Sequence, residues 1–158
     1  MNCLIIYMSH HGTTRRIAEE LHTRLAGGEG KLIDLEREDV PDLAEFSTVI
    51  VGGSIHMGHV QKEIKKFCED REAELLEKRL GLFLCFMNKN DGGKEFESSF
   101  PESLRKSSKA NGLFGGELLF DEMNFMERLV VRKVSGVKES VSEIDREAIE
   151  RFIQMMQE

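Results

Sequence analysis

Three short stretches carry most of the side chains that could do chemistry. The first, SHHGTT, places Ser9, His10, His11, Gly12, Thr13 and Thr14 between an apolar run and a helical pattern. A helix that starts there aims its free N–H groups and the positive end of its dipole at one spot, with hydroxyls beside it. An anion, and a phosphate above all, suits that arrangement. The second stretch, GGSIHMGH, holds Ser54, Ile55, His56, Met57 and Gly58, and the glycines at 52, 53 and 58 are expected to let backbone pass close to a flat ligand. The third, CFMNKNDGG, contributes Phe86, Met87 and Asn88.

Four of the five histidines, His10, His11, His56 and His59, fall on the first two stretches. Histidines in that number could ligate Zn²⁺, but no carboxylate accompanies them and the Ser-Gly-Thr-Thr frame suits phosphate, so no metal is expected. Near neutral pH the rings are expected to carry some charge and help to hold a dianion. The glycine spacing is not GxGxxG and no lysine follows as in GxxxxGKS, which disfavours dinucleotide and ATP sites. A phospho-receiver domain needs an acidic pair after the first strand, where Met8 and Ser9 stand.

These stretches need a scaffold that brings them to one edge. Continuous apolar runs at Cys3–Tyr7, Lys31–Leu35, Thr48–Val51, Leu80–Met87 and Leu113–Phe120 predict strands buried on both faces. Helical spacing recurs between them: Ile17, Leu21 and Leu25; Val60, Ile64, Phe67 and Leu75; Ile144, Ala148, Phe152 and Met156. Shorter helical connections are expected at Val40–Phe46 and at Phe96–Leu104, where Pro101 suits a helix start. Strand alternating with helix predicts an α/β fold, a doubly wound five-stranded parallel sheet of order 2-1-3-4-5 with helices on both faces. Such sheets bind ligands outside the carboxyl ends of their strands, where all three stretches fall.

The chain of 158 residues is read as one domain. Its net charge of -7 excludes a protein whose main work is gripping nucleic-acid backbones. The three cysteines, Cys3, Cys68 and Cys85, have no CxxC spacing and are expected to be reduced and buried. With no charged leader before the first strand and no long apolar run, the expected location is cytoplasmic.

YMSHHGTTRRIAEEL resembles the phosphate-binding loop of the flavodoxin family, in which Ser9, Gly12 and Thr14 match and His11 stands where a hydroxyl is usual. A histidine N–H can donate in its place. VGGSIHMGHVQKEIKKF, and the region from FPESLRKSS through GLFGGELLF into DEMNFMERLVVRKVSG, are similar to the branch that contains menaquinone-dependent protoporphyrinogen dehydrogenases. The resemblance implies a flavodoxin-like fold and FMN as cofactor, its phosphate resting on residues 9–14 and its ring framed by Ser54–Gly58 and Phe86–Asn88. Ordinary flavodoxins bracket the ring with Trp and Tyr. Here Trp is absent and the one Tyr, Tyr7, lies inside the first strand, so His56, Met57 and Phe86 are the stacking candidates. Gly58 is the glycine whose peptide would turn toward the reduced ring, and Asp91 would disfavour added negative charge on it.

The same resemblance implies a helical insertion at about 121–138 after the fifth strand. Arg128, Arg132, Lys133 and Lys138 make it locally basic, and Phe125, Met126, Leu129, Val130 and Val131 keep it apolar. Such a segment suits a substrate lid, peripheral membrane contact or a patch for another subunit. On the first helix, Arg15 with Glu19 and Arg16 with Glu20 are expected to form surface pairs. Three functions stay open: electron transfer to a redox partner protein or quinone, a dehydrogenase acting on protoporphyrinogen or a quinone, and a non-redox phosphate-ligand or regulatory module. No residue presents itself as a catalytic acid or base.

Overall fold

The pleat of β1 (Cys3–Tyr7) sends Leu4 and Ile6 into one hydrophobic core and Cys3, Ile5 and Tyr7 into another. A strand buried on both sides needs no polar face, which is why its sequence is an unbroken apolar run. The computed structural model describes residues 2–87, 91–118, 123–135 and 140–158. Within them, β1 pairs in parallel with β2 (Lys31–Asp34) and with β3 (Thr48–His56). Outside β3 come β5 (Arg79–Cys85) and β6 (Ala110–Leu113), giving the order β2-β1-β3-β5-β6. In parallel-strand terms this is 2-1-3-4-5, the expected flavodoxin-like order.

Helix α1 (Thr13–Ala26) packs Ile17, Leu21 and Leu25 on one face of the sheet, together with α7 (Arg146–Gln157). The other face is covered by α2 (Lys62–Asp70), α3 (Glu72–Leu76), α4 (Gly92–Ser99) and α5 (Glu102–Ser107).

Several elements differ from the sequence pattern, each for a local reason. The helix expected through Val60, Ile64, Phe67 and Leu75 is broken at Arg71, and Val60 itself belongs to β4 (His59–Val60). Strand β3 runs on to His56, turns at Met57 and Gly58, and folds back on β4 with His56 opposite His59. Both turn residues have positive φ, 53° and 82°, as a tight two-residue hairpin requires. Val40–Phe46 yields a single 3-10 turn at Leu43–Glu45, capped by Asp42. Phe96 and Leu104 lie on α4 and α5, with Pro101 at the head of the second.

The largest departure is at the fifth strand. The main-sheet strand is Ala110–Leu113, earlier than Leu113–Phe120, and the chain leaves the sheet at Gly115 with a φ of 72°. It continues as β7 (Gly115–Leu118), which pairs antiparallel with β8 (Val141–Ile144) in a separate ribbon. Between them, inside the span expected for the insertion, runs α6 (Phe125–Ser135). Asp145 N–H then bonds Phe114 O at 2.8 Å, closing the excursion where it began. Ile144 therefore ends β8, and α7 starts only after Asp145, whose carboxylate accepts from Ala148 N–H. Lys138 and residues 119–122 lie outside the described residues.

Candidate functional site

At the carboxyl edge of β1 the chain must turn into α1 within a few residues. Gly12 makes this turn with φ 94°, a conformation that costs other L-residues about 1–2 kcal/mol. Its N–H donates to Ser9 Oγ at 3.0 Å, so the serine shapes the loop. Among the described residues no side chain caps α1. The N–H groups of its first turn are left for a ligand, and the dipole favours an anionic one.

From this point a cavity of about 310 Å³ runs along the sheet edge, within the size range of cofactor sites. Ser9, His10, His11, Thr13 and Thr14 line its polar end, and Ser54, Ile55, His56, Phe86 and Met87 line the rest of its sheet side. Gly12 shapes the loop without lining the cavity, while Met57 and Gly58 sit at the hairpin tip beyond it. Asn88 lies outside the described residues. Gly52 and Gly53 serve the core instead of the ligand: a Cβ on Gly52 would meet the Phe83 ring at 2.1 Å, and one on Gly53 would meet Gln61 and Val60.

The rest of the lining was foreseen only as an insertion suited to a lid, without its contacts. Gly116 and Glu117 from β7, Met123, and Met126, Glu127, Val130 and Val131 on α6 line the remainder of the cavity, with Gly116 against the Phe86 backbone. Two of their carboxylates grip the Ser9–Thr14 turn. Glu127 Oε2 accepts from His11 Nε2 at 2.9 Å, which turns that imidazole N–H toward α6. Glu117 accepts from Thr13 Oγ1 at 2.9 Å, from Ser142 at 2.9 Å and from Arg16. Burial acts to raise the Glu117 carboxyl, but the Ser142 and Thr13 hydroxyls and the Arg16 charge outweigh it and hold it below the usual carboxylate range. Arg16 is thus not paired with Glu20, which takes Arg24 and Arg146 instead; Arg15 does pair with Glu19, at 2.9 Å.

The histidines gather as the sequence suggested, with His10 and His56 ring centroids 4.9 Å apart and those of His10 and His11 6.2 Å apart. Among the described residues no group of histidine, cysteine and carboxylate side chains is arranged to hold a metal ion. Desolvation, then the His56 and His11 rings, push His10 below the ordinary imidazole value, which in the cofactor-free protein favours the neutral ring over the charged one. Cys85 lies beside the cavity, where burial drives its thiol up to about 12 against a weaker opposing bond from Thr14. It is no nucleophile at neutral pH.

The site joins an uncapped helix start to an apolar slot, which fits a phosphate-bearing flat ligand such as FMN. A parallel doubly wound sheet with that seat at the carboxyl ends of β1, β3 and β5 defines the class of mononucleotide-binding α/β domains. The chain belongs to the flavodoxin domain family, whose model matches residues 4–145, and the cofactor of that family is FMN. A protoporphyrinogen IX dehydrogenase [quinone] from Leishmania major is 25% identical over 167 aligned positions, covering 95% of this chain and 72% of the relative. Among solved structures, a short-chain flavodoxin associated with a non-canonical PDU bacterial microcompartment superposes with a TM-score of 0.60 at 16% identity, covering 99% of this chain and 95% of that one. A Streptococcus pneumoniae flavodoxin gives 0.57 at 19% identity, with coverage of 99% and 95%. These structural likenesses establish the fold.

Proposed function

We propose that the chain binds one FMN without a covalent bond and passes electrons. The phosphate is held at residues 9–14, and the ring lies between the sheet-side residues Ser54, Ile55, His56, Phe86 and Met87 and the α6 residues Met126, Val130 and Val131. The carrying observation is the continuity of the cavity from the free helix start to the apolar slot. Bound FMN supplies the redox chemistry, and the chain supplies binding, orientation and exclusion of water. Backbone N–H groups at the head of α1 and the Ser9 loop take the phosphate. Phe86, Met87 and α6 keep solvent from the ring.

A cytoplasmic setting suits Cys3, Cys68 and Cys85, which are buried free thiols pushed by desolvation to about 11, 12 and 12. Among the described residues no helix is long and apolar enough to cross a membrane.

The test is titration of the cofactor-free protein with FMN. Quenched flavin fluorescence at one equivalent, with bound absorption near ~375 and ~450 nm, is the expected result. Protein that leaves the fluorescence unchanged would belong to the third class, a non-redox phosphate-ligand or regulatory module.

A second reading, a dehydrogenase linking protoporphyrinogen to a quinone, is favoured by α6. It lays Met126 and Val130 along the cavity, yet both stay largely exposed, as do Phe125, Leu129 and Val134, beside Arg128, Arg132 and Lys133. An apolar helix with basic flanks at a redox site suits an apolar electron partner or a membrane surface carrying one. Turnover of protoporphyrinogen with a quinone as acceptor, and flotation on anionic liposomes, distinguish this from electron carriage between proteins.

A further inference from the structure

Gln61 is 6% exposed and sits at the head of α2, where the ends of β1 and β3 come together. Its Oε1 accepts from Ser54 N–H at 2.9 Å. Its Nε2 lies 3.4 Å from Met8 O and 2.7 Å from Ser54 Oγ. The carboxamide cannot be turned over, because a backbone N–H only donates and a backbone carbonyl only accepts. Both Nε2 hydrogens are therefore committed, one toward Met8 and one toward Ser54 Oγ. The Ser54 oxygen is an acceptor on the Gln61 side, so its own hydrogen must point elsewhere. No group among the described residues accepts that hydrogen, and Ser54 lines the cavity.

We propose that Gln61 fixes the Ser54 hydroxyl as a hydrogen-bond donor into the FMN cavity, so that Ser54 gives its hydrogen to an acceptor atom of the bound cofactor. Ser54 touches the cofactor; Gln61 is a positioning residue that acts through it. The inference rests on FMN occupying this cavity. It gives the β3 side of the cavity a donor of fixed direction.

Gln61→Glu tests it at nearly constant shape. At pH 8 the carboxylate still accepts from Ser54 N–H, but its second oxygen has no hydrogen to give. It accepts the Ser54 hydroxyl instead and draws that hydrogen out of the cavity. FMN dissociation constants are expected to rise about three- to tenfold, the worth of one neutral hydrogen bond. Ser54→Ala should show the same rise and Ser54→Thr should stay near wild type. Adding Gln61→Glu to Ser54→Ala should weaken binding no further. If Gln61 merely ties two loops together, its substitution weakens binding equally in both backgrounds, and the proposal is overturned. Should Gln61→Glu fail to fold by its melting curve, the Ser54 pair still decides: alanine binding FMN as well as threonine does refutes the donor. Wild-type protein that never quenches FMN removes the cofactor reading as well, whereas wild type that binds while Ser54→Ala binds equally removes this inference alone.

Discussion

The wall built from the ends of β1, β3 and β5 and the wall built from α6 face each other across one cavity, yet different forces hold them. On the sheet side, Thr14 is 1% exposed, Cys85 and Phe86 are buried, and Gln61 bonds two strand ends together. On the α6 side, Phe125 and Val134 are each 71% exposed, and polar bonds from Glu117 and Glu127 to the phosphate loop do the fastening. Dense apolar burial gives a preformed seat, whereas a few partly solvated bonds give a cover that opens at low cost. Under the proposed function, a site so divided would keep its cofactor while its cover yields to an electron partner. The carboxylates fasten that cover to the loop proposed to take the phosphate, so cover and cofactor would share residues there.

The sharpest way to break this comparison is to detach the cover where it meets the seat, at Gly115, whose carbonyl accepts from Phe86 N–H at 2.7 Å. At Gly115, φ is 72° and a Cβ would stand 2.1 Å from Glu143 O, a backbone atom that cannot swing aside. Gly115→Ala should cost the β7-β8 ribbon about 3 kcal/mol. Amide exchange should accelerate across 115–118 and 141–144 while β1 and β3 keep their protection; uniform acceleration would show that the two walls form one cooperative unit. Gly12→Ala attacks the seat instead. The strain is about 1–2 kcal/mol, because the nearest atom to the new Cβ is the mobile end of Arg16 at 3.3 Å. FMN affinity should fall about tenfold, with β7-β8 protection unchanged.

How much of this division can be read in the sequence follows from the range of the forces. The seat is local: Ser9, Gly12 and the start of α1 are within six positions, and apolar runs mark the strands that carry it. The strand order follows from the alternation of runs and helices. The cover depends on contacts across about a hundred positions, such as Thr13 with Glu117 and His11 with Glu127, which no periodicity announces. Leu113–Phe120 looks like one strand because apolar residues continue through it, and only the left-handed turn at Gly115 divides it. Gln61 was hidden for the opposite reason, since a lone polar residue before a helix has the pattern of an ordinary start.

Two smaller effects sharpen the comparison at the junction between the walls. Glu127→Gln keeps a hydrogen bond to His11 and removes the charge. Because Glu127 is 38% exposed, solvent and salt screen the pair, and the expected loss is no more than about 0.5 kcal/mol. It should appear as a modest rise in FMN dissociation rate that fades in high salt, and a rise that persists at high salt would assign Glu127 a role other than charge.

The smallest effect is the titration of His10. Its pKa in the folded protein is lowered from 6.5 by desolvation and by the His56 and His11 rings. As pH falls through 6.5 the unfolded chain takes up a proton that the folded chain refuses, so this residue makes stability decline on acidification. The decline stops once the pH is below the folded value as well, and above about pH 7.5 the residue contributes no slope. In the cofactor-free protein, wild type minus His10→Asn urea midpoints should therefore drift downward between pH 7.5 and 5.5. A bound phosphate dianion beside the ring favours its protonated form, so FMN should flatten that drift. An upward drift in the free protein would mean that His10 is held as a cation, and the junction would then be an electropositive seat and not the neutral, desolvated one described here.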